Sequence, residues 1–246
     1  MKNWLTGLVC ALLLAGCEDE PESLRMVTEA SYPPYEFLRG RKVVGVDVEV
    51  CRAVAERLGR PLAVVNVDFD AVIASVVSGK ADLAAAGITV TEDRKKNVDF
   101  SIPYVKTGLV VIYRKSDPVL SGDACRGRRI GVQGGTTSDE YVVQKLGQEP
   151  ERYRSDAEAV LALRGGRCDA VLCDLILAQR CIRGLPDLAL SELVITEEYA
   201  IAVRKGRPDL LRAVNETLEE IKRDGRLARW MDGYVAELDS MMDGAR

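Results

Sequence analysis

Ser78-Gly79-Lys80-Ala81-Asp82-Leu83-Ala84-Ala85-Ala86-Gly87 can be laid residue for residue on Gly165-Gly166-Arg167-Cys168-Asp169-Ala170-Val171-Leu172-Cys173-Asp174. Each stretch reads as a helix end, a Gly-basic turn, an aspartate and then a short apolar run suited to a buried strand. Helix-Gly-strand units are common and can coincide by chance. Read as a true repeat, the pair predicts two similar lobes. Gly87 and Asp174 then occupy matching C-terminal ends of strands, the edge at which open α/β sheets bind ligands. Two such edges facing each other make a cleft.

The flanking pattern extends this reading. Leu24–Thr28, Leu62–Asn66, Leu83–Ala86, Thr107–Arg114, Arg129–Gln133, Ala170–Leu172 and Val194–Val203 read as strands or extended runs. Val46–Leu58 has helical periodicity and stops at Gly59 and Pro61. Ala71–Ser78, Thr137–Leu146, Asp156–Arg164, Leu175–Ile182, Pro208–Lys222 and Gly225–Val235 read as further helices. Alternating strand and helix predicts an α/β protein with largely parallel sheets.

The N-terminus carries Lys2, an apolar run from Trp4 to Ala15, and then Leu14-Ala15-Gly16-Cys17. This is the layout of an export signal, with an apolar run short of the ~20 residues a bilayer crossing needs. The last four residues look like a bacterial lipobox, in which Cys17 is lipid-modified (palmitate among the acyl groups) and becomes the new N-terminus. The alternative is an ordinary signal peptide with a chance cysteine. Residues 1–16 are read as signal peptide and 17–23, with Glu18-Asp19-Glu20-Pro21-Glu22, as a tether.

Composition narrows the function. A net charge of −4 argues against a nucleic-acid partner, and Arg126-Gly127-Arg128-Arg129 reads as the solvated start of a strand. The chain has no histidine, which removes Ser-His-Asp and Cys-His nucleophile pairs and His-containing metal sites. No metal or cofactor is expected. Beyond Cys10 and Cys17, the cysteines Cys51, Cys125, Cys168, Cys173 and Cys181 show no metal-ligand spacing. Cys51 and Cys125 read as small buried apolar residues. Cys168 and Cys173 would lie about 17 Å apart on one strand, beyond disulfide reach. Pairing of Cys173 with Cys181 is left open.

Four segments can carry chemistry. In Gly87-Ile88-Thr89-Val90-Thr91-Glu92-Asp93-Arg94, glycine admits close approach of a ligand to the backbone. Arg94 can hold a carboxylate through two parallel hydrogen bonds; alternatively Thr91 caps a short helix and Asp93 and Arg94 are solvated. In Gly134-Gly135-Thr136-Thr137-Ser138-Asp139-Glu140 a helix start can take an anion, with Thr137 and Glu140 at capping-box spacing, or be simply a capped helix. Asp174 at a buried strand end needs a partner or caps the helix at Leu175, or does both. Around Thr28-Glu29-Ala30-Ser31-Tyr32-Pro33-Pro34-Tyr35-Glu36-Phe37, Tyr35 and Phe37 suit core packing. Tyr32, with Phe69 opposite, suits a ligand wall. Arg94, Thr89 and the Thr136 helix suit a carboxylate, Asp174 an ammonium, and Tyr32 and Phe69 a side chain: the three parts of an α-amino acid.

These residues resemble the solute-binding proteins of polar amino-acid ABC transporters, which have a two-lobed type II periplasmic binding protein fold. The likeness covers nearly all of 24–235 and is most specific at Thr89-Val90-Thr91-Glu92-Asp93-Arg94 followed by Val98-Asp99-Phe100-Ser101-Ile102-Pro103-Tyr104. It also includes Gly45-Val46-Asp47-Val48-Glu49, Gly134-Gly135-Thr136-Thr137 and Asp169 with Asp174. The resemblance implies that each lobe is a central sheet flanked by helices, joined by crossover strands near Tyr104–Gly108 and Thr196–Ala200. Lobe 1 is then about 24–107 plus 199–246 and lobe 2 about 108–198. It implies that Arg94, Thr89 and the Thr at the lobe-2 helix start (Thr136 or Thr137) bind the α-carboxylate, Asp174 the α-ammonium, and Tyr32 and Phe69 the side chain. Gly87 departs from relatives that carry a hydroxyl residue there, so ammonium contacts would be fewer. Glu29, where relatives often have Asp, looks like the basic-amino-acid and opine binders; the competing view makes it a loop cap.

The reading is a monomeric, lipid-anchored receptor on the periplasmic or cell-surface side. It takes an α-amino acid, tilted toward arginine, lysine or an opine, in the interlobe cleft and delivers it to a membrane permease. The rivals are a cyclohexadienyl dehydratase-like enzyme, for which Glu197, Glu198 or Glu29 would be the acid although no carboxylate pair is evident, and a sensory module with a separate signalling partner.

Overall fold

The computed structural model describes residues 22–244. The signal peptide, Cys17 and most of the tether lie outside the described residues. The first part of the chain runs β1 (Leu24–Thr28), β2 (Ser31–Tyr32), β3 (Glu36–Arg39), β4 (Lys42–Val44), α1 (Val46–Arg57), β5 (Leu62–Asn66), α2 (Val72–Val77), β6 (Leu83–Ala84), α3 (Glu92–Lys95) and β7 (Val98–Phe100). The second runs β8 (Val105–Arg114), β9 (Ile130–Gln133), α4 (Thr137–Tyr141), β10 (Glu151–Tyr153), α5 (Asp156–Arg164), β11 (Ala170–Asp174), α6 (Leu175–Cys181), β12 (Leu188–Leu190) and β13 (Ile195–Tyr199). The chain then returns as β14 (Ala202–Arg204), α7 (Pro208–Arg223) and α8 (Arg226–Gly244).

Two sheets form the two lobes. One has the order β5-β1-β6-β14-β7 and the other β10-β9-β11-β8-β12, with β13 also on β8. β2, β3 and β4 make a small separate sheet. Apolar side chains fill both faces of each large sheet. Leu24, Met26, Leu83 and Ile201 pack with α1 and α7, and Val110, Ile112 and Val171 pack against Ala159, Val160 and Leu163 of α5. Sheets covered on both faces explain the near-continuous apolar runs of their strands.

Three expectations are corrected. The sheets are mixed, not largely parallel. β1 is parallel to β5 and β6, and β9 to β10 and β11, but β14 is antiparallel to β6 and β7, and β8 to β11, β12 and β13. The antiparallel members are largely the segments that pass between lobes, and they enter each sheet from the opposite end. Second, Val194–Val203 is not one extended run. β13 ends in the second sheet and β14 begins in the first, with the break held by Ala200 N to the Ile88 carbonyl (3.1 Å) and Ile201 N to Ser101 Oγ (3.0 Å). Third, the Leu83–Ala86 strand stops at Ala84, because the Gly87 N–H turns aside to Asp47 Oδ2 (3.1 Å).

Among the described residues all five cysteines are free thiols, Cys51 and Cys125 fully buried. Tyr35 and Phe37 are core residues. Arg128 and Arg129 at the start of β9 are tied to Asp117 (2.7 Å) and Asp169 (2.7 Å).

Candidate functional site

The C-terminal strand ends of the two sheets meet around one shared cavity, at the edge where open α/β sheets bind ligands. Glu29, Tyr32, Phe69, Gly87, Thr89 and Arg94 line it from one lobe, and Thr136, Thr137 and Asp174 from the other. Every residue singled out from the sequence as ligand-binding therefore stands on one cavity. The lobes touch around it: Arg154 pairs with Asp68 (3.2 Å), and a Cβ on Gly135 would stand 3.2 Å from the Asp70 Cβ.

Arg94 reconciles the two readings of its segment. Thr91 caps α3 by accepting from the Arg94 backbone N–H (3.2 Å), and Asp93 is exposed. The Arg94 side chain nevertheless turns inward and is 8% exposed. Nη1 donates to the Thr89 carbonyl (3.0 Å), Nη2 reaches across the cleft to the Gly135 carbonyl (3.1 Å), and the guanidinium lies 5.7 Å from the Phe69 ring centre. Burial lowers its pKa against the pull of Glu140 and Glu197, and an arginine so placed stays charged. Of its five donors, the remainder are free for an anion.

The facing helix start is capped one residue earlier than expected. Thr136, not Thr137, is the N-cap of α4, accepting from Asp139 N (3.4 Å), and Asp139 Oδ2 accepts from Gly135 N (3.1 Å). The Gly134-Gly135 turn shifts the cap, and Thr137 is left to line the cavity.

Asp174 does both jobs the sequence allows. Oδ1 caps α6 by accepting from Ile176 N (2.8 Å) and Leu177 N (3.4 Å). Oδ2 accepts from the hydroxyls of Thr107 (2.5 Å) on β8 and Tyr199 (2.7 Å) on β13. The Tyr199 oxygen lies 2.7 Å from the Tyr32 hydroxyl. With Tyr199 donating to Asp174, Tyr32 donates to Tyr199, and a chain of hydroxyls joins lobe 1, a crossover and the lobe-2 carboxylate.

Gly87 has a reason the sequence did not reveal. Its φ is +54°, and a Cβ there would lie 2.5 Å from Cε1 of Tyr32. What approaches this backbone is the tyrosine ring, which leaves no room for a hydroxyl side chain. Thr89 also differs from expectation: its hydroxyl bonds Glu197 Oε2 (3.1 Å), and its carbonyl serves Arg94.

Seven lining residues were not named as ligand-binding: Ala86, Leu109, Gln133, Ser138, Asp156, Glu197 and Tyr199. Glu197 was weighed only as an enzyme's acid, and Asp156 only as the first residue of a helix. The statement that no carboxylate pair is evident is thus corrected, since Glu29, Asp156, Asp174 and Glu197 share the cavity with Arg94. Burial raises the carboxyl pKa of Glu29 and of Glu197, eased by Ser31 and Gln133 in the first and by Thr137 and Thr89 in the second. Burial, with Asp174 and Glu29 adding repulsion, pushes Asp156 up to about 7.

A two-lobed α/β protein with a polar cleft at opposed strand ends is the architecture of a binding protein that closes on a small solute. The chain belongs to the bacterial extracellular solute-binding proteins, family 3, whose model matches residues 24–237. It is similar to the L-cystine-binding protein TcyJ of Escherichia coli (strain K12), 32% identical over 245 residues covering 92% of each chain. It is 30% identical over 256 residues to the arginine-binding extracellular protein ArtP of Bacillus subtilis (strain 168), covering 95% of this chain and 99% of that one. Its structure matches a mutant of ArgBP from T. maritima with a TM-score of 0.82 and 35% identity over 87% of this chain and 95% of that one.

Proposed function

We propose that this protein is the solute receptor of an ABC importer and that its solute is an α-amino acid, held as a zwitterion between the lobes. Arg94, with the α4 start at Thr136 and Thr137, takes the α-carboxylate; Asp174 takes the α-ammonium; Tyr32 and Phe69 flank the side chain. Lobe 1 is 24–107 plus 199–246 and lobe 2 is 108–198. Glu29 sets the preference for a cationic side chain, as in arginine, lysine or an opine. Acylation of Cys17 anchors the chain outside the cytoplasm, beside its permease.

The observation that carries this is the placement of one buried guanidinium and one buried carboxylate on opposite walls of a single cavity. Desolvation strengthens both attractions relative to an open surface. The same cavity disfavours the dehydratase alternative, because four carboxylates against one guanidinium repel a dianion such as prephenate. A thermal-shift screen against the common amino acids tests the reading: a solute that binds only the folded form raises the Tm. Arginine or lysine is expected to give the largest rise, and no rise with any amino acid contradicts the assignment.

A further inference from the structure

We propose that Asp156 is a specificity-determining residue: the lobe-2 counter-ion for a second positive charge at the far end of the bound solute, facing Glu29 of lobe 1. This rests on the amino-acid reading above and names which amino acids the site takes. Asp156 is the first residue of α5, is 7% exposed, and still lines the cavity. Among the described residues it has no ion pair and no side-chain partner; the Gln133 backbone N–H is what supports its charge. Neither capping nor packing uses its carboxylate: Ser155 caps the helix by accepting from Glu158 N (3.3 Å).

A buried carboxylate with no opposite charge beside it is costly, and a cation supplied by the solute removes that cost. Asp174 is already committed to the cap of α6 and to two hydroxyls; Glu197 gives Oε2 to Thr89 and leaves Oε1 buried without a partner, but the Arg94 charge stands beside it. Glu29 and Asp156 are the pair left facing the empty space, one on each lobe. A guanidinium between them would bond both walls and so favour the closed form, whereas a neutral side chain would leave two carboxyls uncompensated.

Protons follow from the same geometry. The titratable groups around Asp156 are Asp174 on β11, Glu29 beyond β1, and the thiols of Cys173 and Cys181 on β11 and α6. None is cationic, and together with burial they favour the protonated acid. A cationic solute favours the carboxylate, so its binding expels the proton. With the free group near 7, arginine affinity is expected to fall about tenfold from pH 8 to pH 6.

Titration calorimetry of the mature protein with L-arginine and with L-citrulline, its neutral near-isostere, is the test. The native protein is expected to prefer arginine by well over tenfold. Asp156→Asn is expected to bring the arginine-to-citrulline ratio near one and to shrink the pH dependence at least threefold. A merely structural role would weaken both solutes alike and leave the ratio unmoved, which overturns the proposal. Glu29→Gln is the second variant; its ratio is expected to fall as well, which keeps the test alive should Asp156→Asn fold poorly. A native protein that binds both solutes equally refutes the role of Asp156 alone. One that binds no amino acid refutes the amino-acid reading, and this inference with it.

Discussion

The two repeat units of the molecule are the same at one end and opposite at the other. At the base of the first, Asp82 Oδ2 accepts from Arg25 N (3.0 Å), Oδ1 pairs with Arg25 Nη2 (3.0 Å), and Asp82 N returns a bond to the Arg25 carbonyl (2.9 Å). At the base of the second, Asp169 makes the same three contacts with Arg129, at 2.9, 2.7 and 2.7 Å. Gly79 and Gly166 turn the chain with matching φ of 75° and 73°. Five residues on from each aspartate the likeness ends, with a glycine under a tyrosine ring in one lobe and a buried carboxylate in the other. The turn that fixes strand pairing has one workable chemistry, while the strand end facing the cavity is free to differ. Under the proposed function, that difference gives the lobes complementary tasks, with lobe 1 meeting an anion through Arg94 and lobe 2 meeting a cation through Asp174.

The largest expected effect breaks this division of labour. Arg94→Ala should weaken arginine binding at least about 100-fold, or about 3 kcal/mol, by calorimetry. Asp174→Asn keeps an efficient helix cap, so the protein should stay folded while affinity falls by about tenfold or more. Near-native affinity in either variant would remove that wall from the site.

The next comparison is between the matched turns. The Asp82 side chain is 4% exposed and that of Asp169 25%. Asp82→Ala is therefore expected to cost about 2 kcal/mol in urea denaturation, by removing the buried acceptor of the Arg25 N–H and guanidinium, and Asp169→Ala about 1 kcal/mol. Equal losses would mean that burial does not separate the two. Both carboxyls lie below the usual carboxylate range. For Asp82, burial opposes the charge but the Arg25 hydrogen bonds outweigh it; for Asp169, the Arg129 hydrogen bond leads. Their contribution is complete above the unfolded pKa of about 4 and is lost as pH falls through the folded values. Stability should therefore drop below about pH 4, and less steeply in Asp82→Ala.

The smallest effect sharpens the contrast at the strand ends. Gly87→Ala should destabilise the fold by about 1–2 kcal/mol through overpacking against Tyr32. In a Tyr32→Ala background the penalty should shrink by at least about 0.5 kcal/mol, a coupling that a double-mutant cycle by thermal denaturation detects. Additive losses would show that φ, not the ring, is what makes position 87 a glycine.

Much of this molecule is legible in its sequence because the signals are local. The repeated turns are Gly-basic-x-Asp, helix α5 follows its periodicity residue for residue, and Arg94 stands behind its own cap. What escaped depends on partners distant in sequence. Periodicity alone reads Val194–Val203 as one run; only the family resemblance placed a crossover near Thr196–Ala200, because the break is set by Ile88 and Ser101, distant in sequence. Helix α8 runs past Val235 to Gly244, where Asp239 meets Arg183 and Arg180 of the other lobe. Asp156 and Glu197 read as the first residue of a helix and part of an extended run. Only the approach of the lobes turns them into cavity walls.

The division of charge between the lobes is tested most directly by where a bound solute places its two ends. A crystal structure with L-arginine should show the α-carboxylate on Arg94 and the α-ammonium on Asp174, within about 3 Å of each. Arginine bound outside this cavity, or seated in it with its backbone groups touching neither residue, would contradict the account.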